Sequence, residues 1–131
     1  MGAVNLLLDT CTFLWLVADP KKLSAHAVDL INDPDNLLFL SEISIWEMVM
    51  KYQAGRLPLP ESPRTWIPKQ STFFQISHQA VTVEAIYLSG ELPLAHRDPF
   101  DRLLAAQCIA LGMTIVTPDK PFKKLGSKTR W

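Results

Sequence analysis

Along this chain, short apolar runs alternate with longer stretches whose apolar positions recur at helical spacing. Val4 to Leu8 is a run apolar but for Asn5 and ending at Asp9, the pattern of a strand buried on both faces, as in a parallel sheet. Thr10 or Thr12 can cap a following helix through about Val17, apolar nearly all round and ended by Asp19-Pro20. Ser24 opens a second helix to about Asn32, Asp33-Pro34-Asp35-Asn36 is a turn, and Leu37 to Leu40 is a second buried strand. Ser41 to Gln53 reads as the next helix, with Ile43, Trp46 and Met50 at helical spacing and Gly55 as its stop.

Leu57-Pro58-Leu59-Pro60 and Ser62-Pro63 form a proline-rich connection, too short and apolar for a domain linker. The pattern then predicts a short helix from Ser62 to Gln70, broken or bent near Pro68, a weaker strand from Phe73 to Ile76, and a helix from about His78 to Leu88 stopped by Gly90. Leu92-Pro93-Leu94 leads into a helix from Pro99 to about Leu111, ended by Gly112. Met113 to Thr117 is another strand with Pro118-Asp119 at its carboxyl end, and Lys120 to Trp131 holds a basic turn or short helix and an edge strand. Strands alternating with helices imply right-handed crossovers, a parallel sheet, and ligands outside the carboxyl ends of its strands.

The 131 residues, 48% hydrophobic, suit one domain over residues 1–131. Thirteen basic and thirteen acidic residues balance, so only local charge patterning is informative. From Lys120 onward there are five basic residues and no acidic one. Cys11 and Cys108 lie in apolar runs, which fits buried thiols in a reducing compartment, and the cysteines and histidines give no zinc spacing. The N-terminal apolar stretch lacks a basic flank and is interrupted by Asp9 and Asp19, so a cytoplasmic protein with no membrane association is expected.

The chemistry concentrates in His96 to Gln107. Asp98-Pro99 reads as a helix start, with Asp98 accepting from the open amides. Asp101, one turn in, shares a stripe with Ala105 and Cys108, small residues that let another element approach. A carboxylate facing that way needs a partner, for which a cation is the obvious choice. His96 reads as a structural or loop residue. Asp9 and Asp119 both end strands. Glu47 has two structural explanations, a capping box with Ser44 and an i, i+4 pair with Lys51. If the helices bearing Glu47 and Asp101 start at the same sheet edge, four carboxylates share one pocket. Like charges about 4 Å apart repel by roughly 4 kcal/mol per pair at an effective dielectric near 20, so such a cluster must be protonated or filled by cations. Hard oxygen ligands suit Mg²⁺ or Mn²⁺, and the chemistry that uses such ions is in-line displacement at phosphorus.

Leu6-Leu7-Leu8-Asp9-Thr10, Ser44-Ile45-Trp46-Glu47 with Lys51 and Gly55-Arg56-Leu57, the His96 to Gln107 stretch, and Val116-Thr117-Pro118-Asp119 together resemble the PIN-domain nucleases, nearest to the VapC-type toxins of type II toxin–antitoxin pairs. The resemblance covers nearly the whole chain in order. It implies a three-layer α/β/α fold with a mainly parallel sheet. The implied activity is that of a Mg²⁺- or Mn²⁺-dependent endoribonuclease, usually a homodimer, cleaving single-stranded RNA and inhibited by a cognate antitoxin. Carried over, the catalytic and metal-binding quartet is Asp9, Glu47, Asp101 and Asp119, supported by Thr10, Thr117 and Asp98. Pro118 stands where many relatives have a small residue and can shift the loop bearing Asp119. Lys120, Lys123 and Lys124 are the candidate RNA contacts, reading phosphate rather than base. An aspartyl-phosphate phosphatase would need a second aspartate where Cys11 stands. A non-catalytic PIN-like module binding RNA or protein is the alternative.

Overall fold

Asn5–Leu8 (β1), Leu37–Ser41 (β2), Ile76–Gln79 (β3), Thr114–Val116 (β4) and Lys128–Arg130 (β5) form one sheet in the order β3-β2-β1-β4-β5. Every neighbouring pair is parallel. The computed structural model describes residues 3–93 and 96–131, so Leu94 of the expected lead-in lies outside the described residues. Seven α-helices are found among them: α1 (Thr10–Ala18), α2 (Ala25–Asn32), α3 (Glu42–Gln53), α4 (Pro63–Phe73), α5 (Val83–Glu91), α6 (Pro99–Leu111) and α7 (Lys120–Lys124). None is long and apolar enough to cross a membrane.

Strand alternation divides the core in two. Leu6 and Leu8 of β1 and Leu38 and Leu40 of β2 pack with Phe13 of α1, Ala27 of α2 and Trp66 of α4. Leu7 and Ile115 pack instead with Ala85 of α5, Leu104 and Ala105 of α6 and Phe122 of α7. Helices therefore cover both faces, giving the expected three-layer α/β/α arrangement. Leu6, Leu7 and Leu8 have no exposed surface, and at about 1.5–3 kcal/mol for each fully buried leucine β1 anchors both halves of the core.

Several local expectations give way to tertiary packing. Asp9, not Thr10 or Thr12, caps α1, while the Thr12 hydroxyl donates to the Val116 carbonyl at 2.7 Å. Ser41 caps α3 one turn before the expected capping box, so the Ser44–Glu47 box does not form. Helix α4 runs through Pro68 to Phe73. A mid-helix proline costs about 3 kcal/mol, but burying a ring the size of Trp66 contributes about 4–6 kcal/mol at ~25 cal/mol per Å². Trp66 and Ile67 are both buried on that helix, which decides the outcome. Strand β3 lies three residues later than expected and takes in His78, and α5 begins at Val83 under a Thr82 cap, continuing past Gly90. As an edge strand, β3 buries only Ile76, so its polar residues imitate a helix surface. The expected stripe on α3 is also rotated: Ile43 is buried, but Trp46 is 55% and Met50 46% exposed, and Ser44 and Met48 face inward instead.

Candidate functional site

The chain leaves β1 through α1 on one face of the sheet and leaves the adjacent β4 toward α7 on the other. Between the carboxyl ends of two such strands a crevice opens, the topological switch point where α/β sheets bind ligands. Asp9 follows β1, and Thr117 to Asp119 follow β4. Helix α6 feeds the opposite end of β4, so its N-terminus with Asp98 and Asp101 is brought to the crevice edge. Helix α3 starts at the carboxyl end of β2, which carries Glu47 to the same edge.

Asp9 is buried at 5% exposure. It accepts from the Thr117 hydroxyl at 2.6 Å and from the amide and thiol of Cys11, both at 3.4 Å. Burial raises its pKa, the Thr117 hydrogen bond opposes this, the Asp119 charge raises it further, and the Cys11 hydrogen bonds lower it. The Asp119 amide donates to Thr117 Oγ1 at 3.0 Å. Ligand atoms of Asp9, Cys11 and Asp119 lie within 4.8 Å of one another, so Pro118 does not carry Asp119 away from the crevice.

Glu47 is held from two sides, 2.8 Å from Thr10 Oγ1 and 2.7 Å from Lys51 Nζ. Thr10 Oγ1 is also 2.9 Å from Ser44 Oγ. With one hydrogen to give, Thr10 donates it to the carboxylate and takes its other bond from Ser44. The expected i, i+4 pair therefore forms, and a buried serine and threonine orient the acid as well.

Asp98 caps α6, its Oδ1 accepting from the amides of Phe100 at 2.9 Å and Asp101 at 3.3 Å. Asp101 Oδ2 is 2.7 Å from His96 Nε2, so His96 is more than a loop residue. Burial pushes the Asp101 carboxyl up to about 6, the His96 hydrogen bond opposes this, and the charges of Asp98 and Asp9 add to it. The structure thus joins Asp9 to Asp119 directly. Glu47 adjoins them through Thr10, whereas the ligand atoms of Asp101 group with those of His96 and Asp98, near enough for the Asp9 charge to act on its carboxyl.

This donor set fits a hard divalent cation. Burial and the neighbouring Asp119 charge penalise the charged form of Asp9, and burial and the charges of Asp98 and Asp9 penalise that of Asp101. A cation beside them relieves these penalties, and carboxylate oxygens suit Mg²⁺ or Mn²⁺. The Cys11 thiol, its pKa raised by burial and by Asp9, stays protonated and is a poor ligand.

Sequence reasoning missed two residues that brace the helices around the site, Arg102 and Gln107. Arg102 spends all five N–H donors on the carbonyls of Ser89, Leu92, Pro93 and His96. Gln107, buried in α6, accepts from the Ser41 hydroxyl and donates to the Ala80 carbonyl. Their signal was a polar residue on the buried side of an apolar helix. Lys120, Lys123 and Lys124 stand exposed on α7, just past Asp119.

The PIN domain family profile matches residues 6–128. Ribonuclease VapC22 of Mycobacterium tuberculosis is 28% identical over 118 residues, covering 88% of each chain. Among solved structures, VapBC2 from Rickettsia felis, bound to a DNA fragment from its promoter, superposes with a TM-score of 0.70 at 16% identity over 97% of this chain and 98% of that one. VapBC-5 from Mycobacterium tuberculosis, a member of the VapBC family of toxin–antitoxin systems, gives 0.59 at 14% identity over 99% and 97%. At such identities these two structures speak for the fold.

Proposed function

Because the chain belongs to the PIN domain family, we propose that it is a metal-dependent endoribonuclease, the toxin of a type II toxin–antitoxin pair, built as a single PIN domain over residues 1–131. The observation that carries the reading is the meeting of Asp9 and Asp119 within 4.8 Å at the switch-point crevice, with Glu47 and Asp101 on its rim. A ribonuclease among the relatives supports the activity, and toxin–antitoxin complexes among the structural neighbours support an antitoxin partner.

Asp9, Glu47, Asp101 and Asp119 hold Mg²⁺ or Mn²⁺ in this reading, and the bound cation supplies Lewis acidity toward water and the scissile phosphate. The chain's own side chains pre-set the ligands: Thr117 fixes Asp9, Thr10 fixes Glu47, and Asp98 holds the helix start that presents Asp101. Lys120, Lys123 and Lys124 meet RNA phosphates. The protein acts in the cytoplasm as a homodimer held inactive by its cognate antitoxin. The exposed apolar residues Trp46, Met50, Val83, Ile86 and Tyr87 offer area for such protein contacts.

The test is incubation of the free protein with unstructured RNA, with and without EDTA, and identification of the product ends. Metal-dependent cutting that leaves 5′-phosphate and 3′-hydroxyl ends is expected, because attack by water leaves no role for the ribose 2′-hydroxyl. Cleavage surviving EDTA, or cyclic phosphate ends, overturns the mechanism. Failure of the purified protein to bind Mn²⁺ or cut RNA favours the non-catalytic binding module.

A further inference from the structure

A cavity of about 570 Å³ adjoins the acidic crevice and shares Thr117 and Asp119 with it. Lys120, Lys123 and Lys124 of α7 and Arg130 of β5 line it, together with Trp131, and Asp119 is the one acid among its described lining residues. The three lysines fall at i, i+3 and i+4 and so share one helix face. None of the four cations is in an ion pair among the described residues. Trp131 is held by Trp15, ring centroids 5.8 Å apart and planes at 59°. Lys128, from the same basic tail, lines a different cavity together with Asp33 and Asp35, and Arg130 borders both cavities. Lys120, Lys123 and Lys124 are therefore the cations that belong to the cavity beside Asp119, with Arg130 shared between the two.

Resting on the endoribonuclease reading, we propose that this cavity is the subsite for the RNA strand on one flank of the cleavage point, with Lys120, Lys123, Lys124 and Arg130 meeting backbone phosphates and Trp131 serving as a stacking platform for a base. A strand whose scissile phosphate sits among the acids must pass over one side of Asp119 to leave. On the acid side the lysine present, Lys51, is already paired with Glu47; on this side it finds four cations with no ion pair among the described residues. Cationic grooves edged by aromatic side chains are the general solution for holding single strands without reading sequence. The subsite also answers how a neutral chain with an acidic centre attracts a polyanion: the attraction lies one residue beyond the last acid. A protein partner with an acidic segment would use the same charges but has no need of the tryptophan face.

The experiment measures binding of a short, unstructured, dye-labelled oligoribonucleotide in EDTA by fluorescence anisotropy across a salt series, so that binding is read without cleavage. The Lys123→Ala/Lys124→Ala double variant, altered only at exposed positions, should lose affinity about ten-fold, and its slope of log K against log salt should shrink by about 1.4, at ~0.7 per phosphate contact. Trp131→Leu should bind roughly ten-fold more weakly, whereas Trp131→Phe, which keeps an aromatic face, should stay near wild type. Wild-type protein that binds and cuts RNA while all three folded variants bind equally well overturns the subsite alone. Wild-type protein that neither binds nor cuts RNA overturns the ribonuclease reading and the subsite with it. Equal loss in both Trp131 variants, or RNA binding unaffected while an acidic peptide competes for the lysines, assigns the cavity elsewhere. If Trp131→Leu does not fold, the lysine double variant decides.

Discussion

Thr117 donates its hydroxyl hydrogen to Asp9 at 2.6 Å, and the same oxygen accepts the amide of Asp119 at 3.0 Å. One small side chain thereby ties together two acids carried by different strands. Thr117→Val keeps the shape and removes both bonds. A hydrogen bond to a charged group nets about 1.5–3 kcal/mol, so a comparable loss of stability is expected in urea unfolding. The Asp9 pKa, already raised by burial, should rise further. Metal binding requires the carboxylate form, so the acid limb of Mn²⁺ binding should move to higher pH, as read by calorimetry at several pH values. Thr117→Ser should restore it, and an unmoved acid limb in the valine variant would remove Thr117 from the site.

Asp101 makes a prediction with a definite sign. Its pKa is pushed from 3.8 up to about 6, so between those values the folded protein keeps a proton that the unfolded chain has released. Stability therefore falls as pH rises from about 4 to about 6 and is level above that. In EDTA at pH 7, Asp101→Asn should be more stable than wild type by about 1–3 kcal/mol, an advantage that disappears below about pH 4. Mn²⁺ should reverse the order by raising the melting temperature of the wild type and not of the variant, which should also lose cleavage. A variant less stable than wild type at pH 7 without metal contradicts the burial argument.

The layered fold was legible because its central strands are unambiguous: Leu6 to Leu8 and Ile115 to Val116 have no choice but the interior. Helix α6 was legible from its ends, since Asp98-Pro99 and Gly112 use backbone rules that hold without tertiary context; Gly112 adopts the left-handed φ of 65° that favours glycine. Strand β3 was expected but three residues too early, because an edge strand that buries only Ile76 does too little to fix its bounds. The inward turn of Ser44 on α3 was hidden for the opposite reason: a polar residue is buried there to serve Thr10 and Glu47, and nothing local announces it. The four acids and the hydroxyls of Thr10 and Thr117 could be picked out through the family resemblance, but the parts of Ser44, His96 and Arg102 needed the folded chain.

Asp98 should behave as a cap and little else. Both of its hydrogen bonds go to the amides that open α6. Asp98→Ala should cost about 1 kcal/mol, and Asp98→Asn, which caps nearly as well, only a few tenths. In the asparagine variant RNA cleavage should stay close to wild type. Thermal unfolding measured alongside cleavage rates separates the two roles: an inactive but stable Asp98→Asn protein would make Asp98 a direct participant in the reaction.

Arg102 should matter out of proportion to its distance from the acids. It makes five hydrogen bonds to four carbonyls, two of them to Ser89 at 2.8 and 3.1 Å, and so closes the connection from α5 to α6. One of those carbonyls belongs to His96, at 2.9 Å, whose ring meets Asp101. Arg102→Lys keeps the charge but replaces a planar fork by a point donor that reaches one or two carbonyls at a time. Partly buried carbonyls left unmet cost about 1–3 kcal/mol each. Because bonds within one network are not additive, a total loss of about 2–4 kcal/mol is expected. The further consequence is local: with the His96 backbone released, its ring no longer holds Asp101, and Mn²⁺ affinity should fall even where the variant is fully folded. Hydrogen exchange should show faster opening confined to residues 89–102 of the lysine variant. Uniform acceleration across the whole chain, with unchanged metal affinity, would mean that Arg102 supports the fold as a whole and does not position the site.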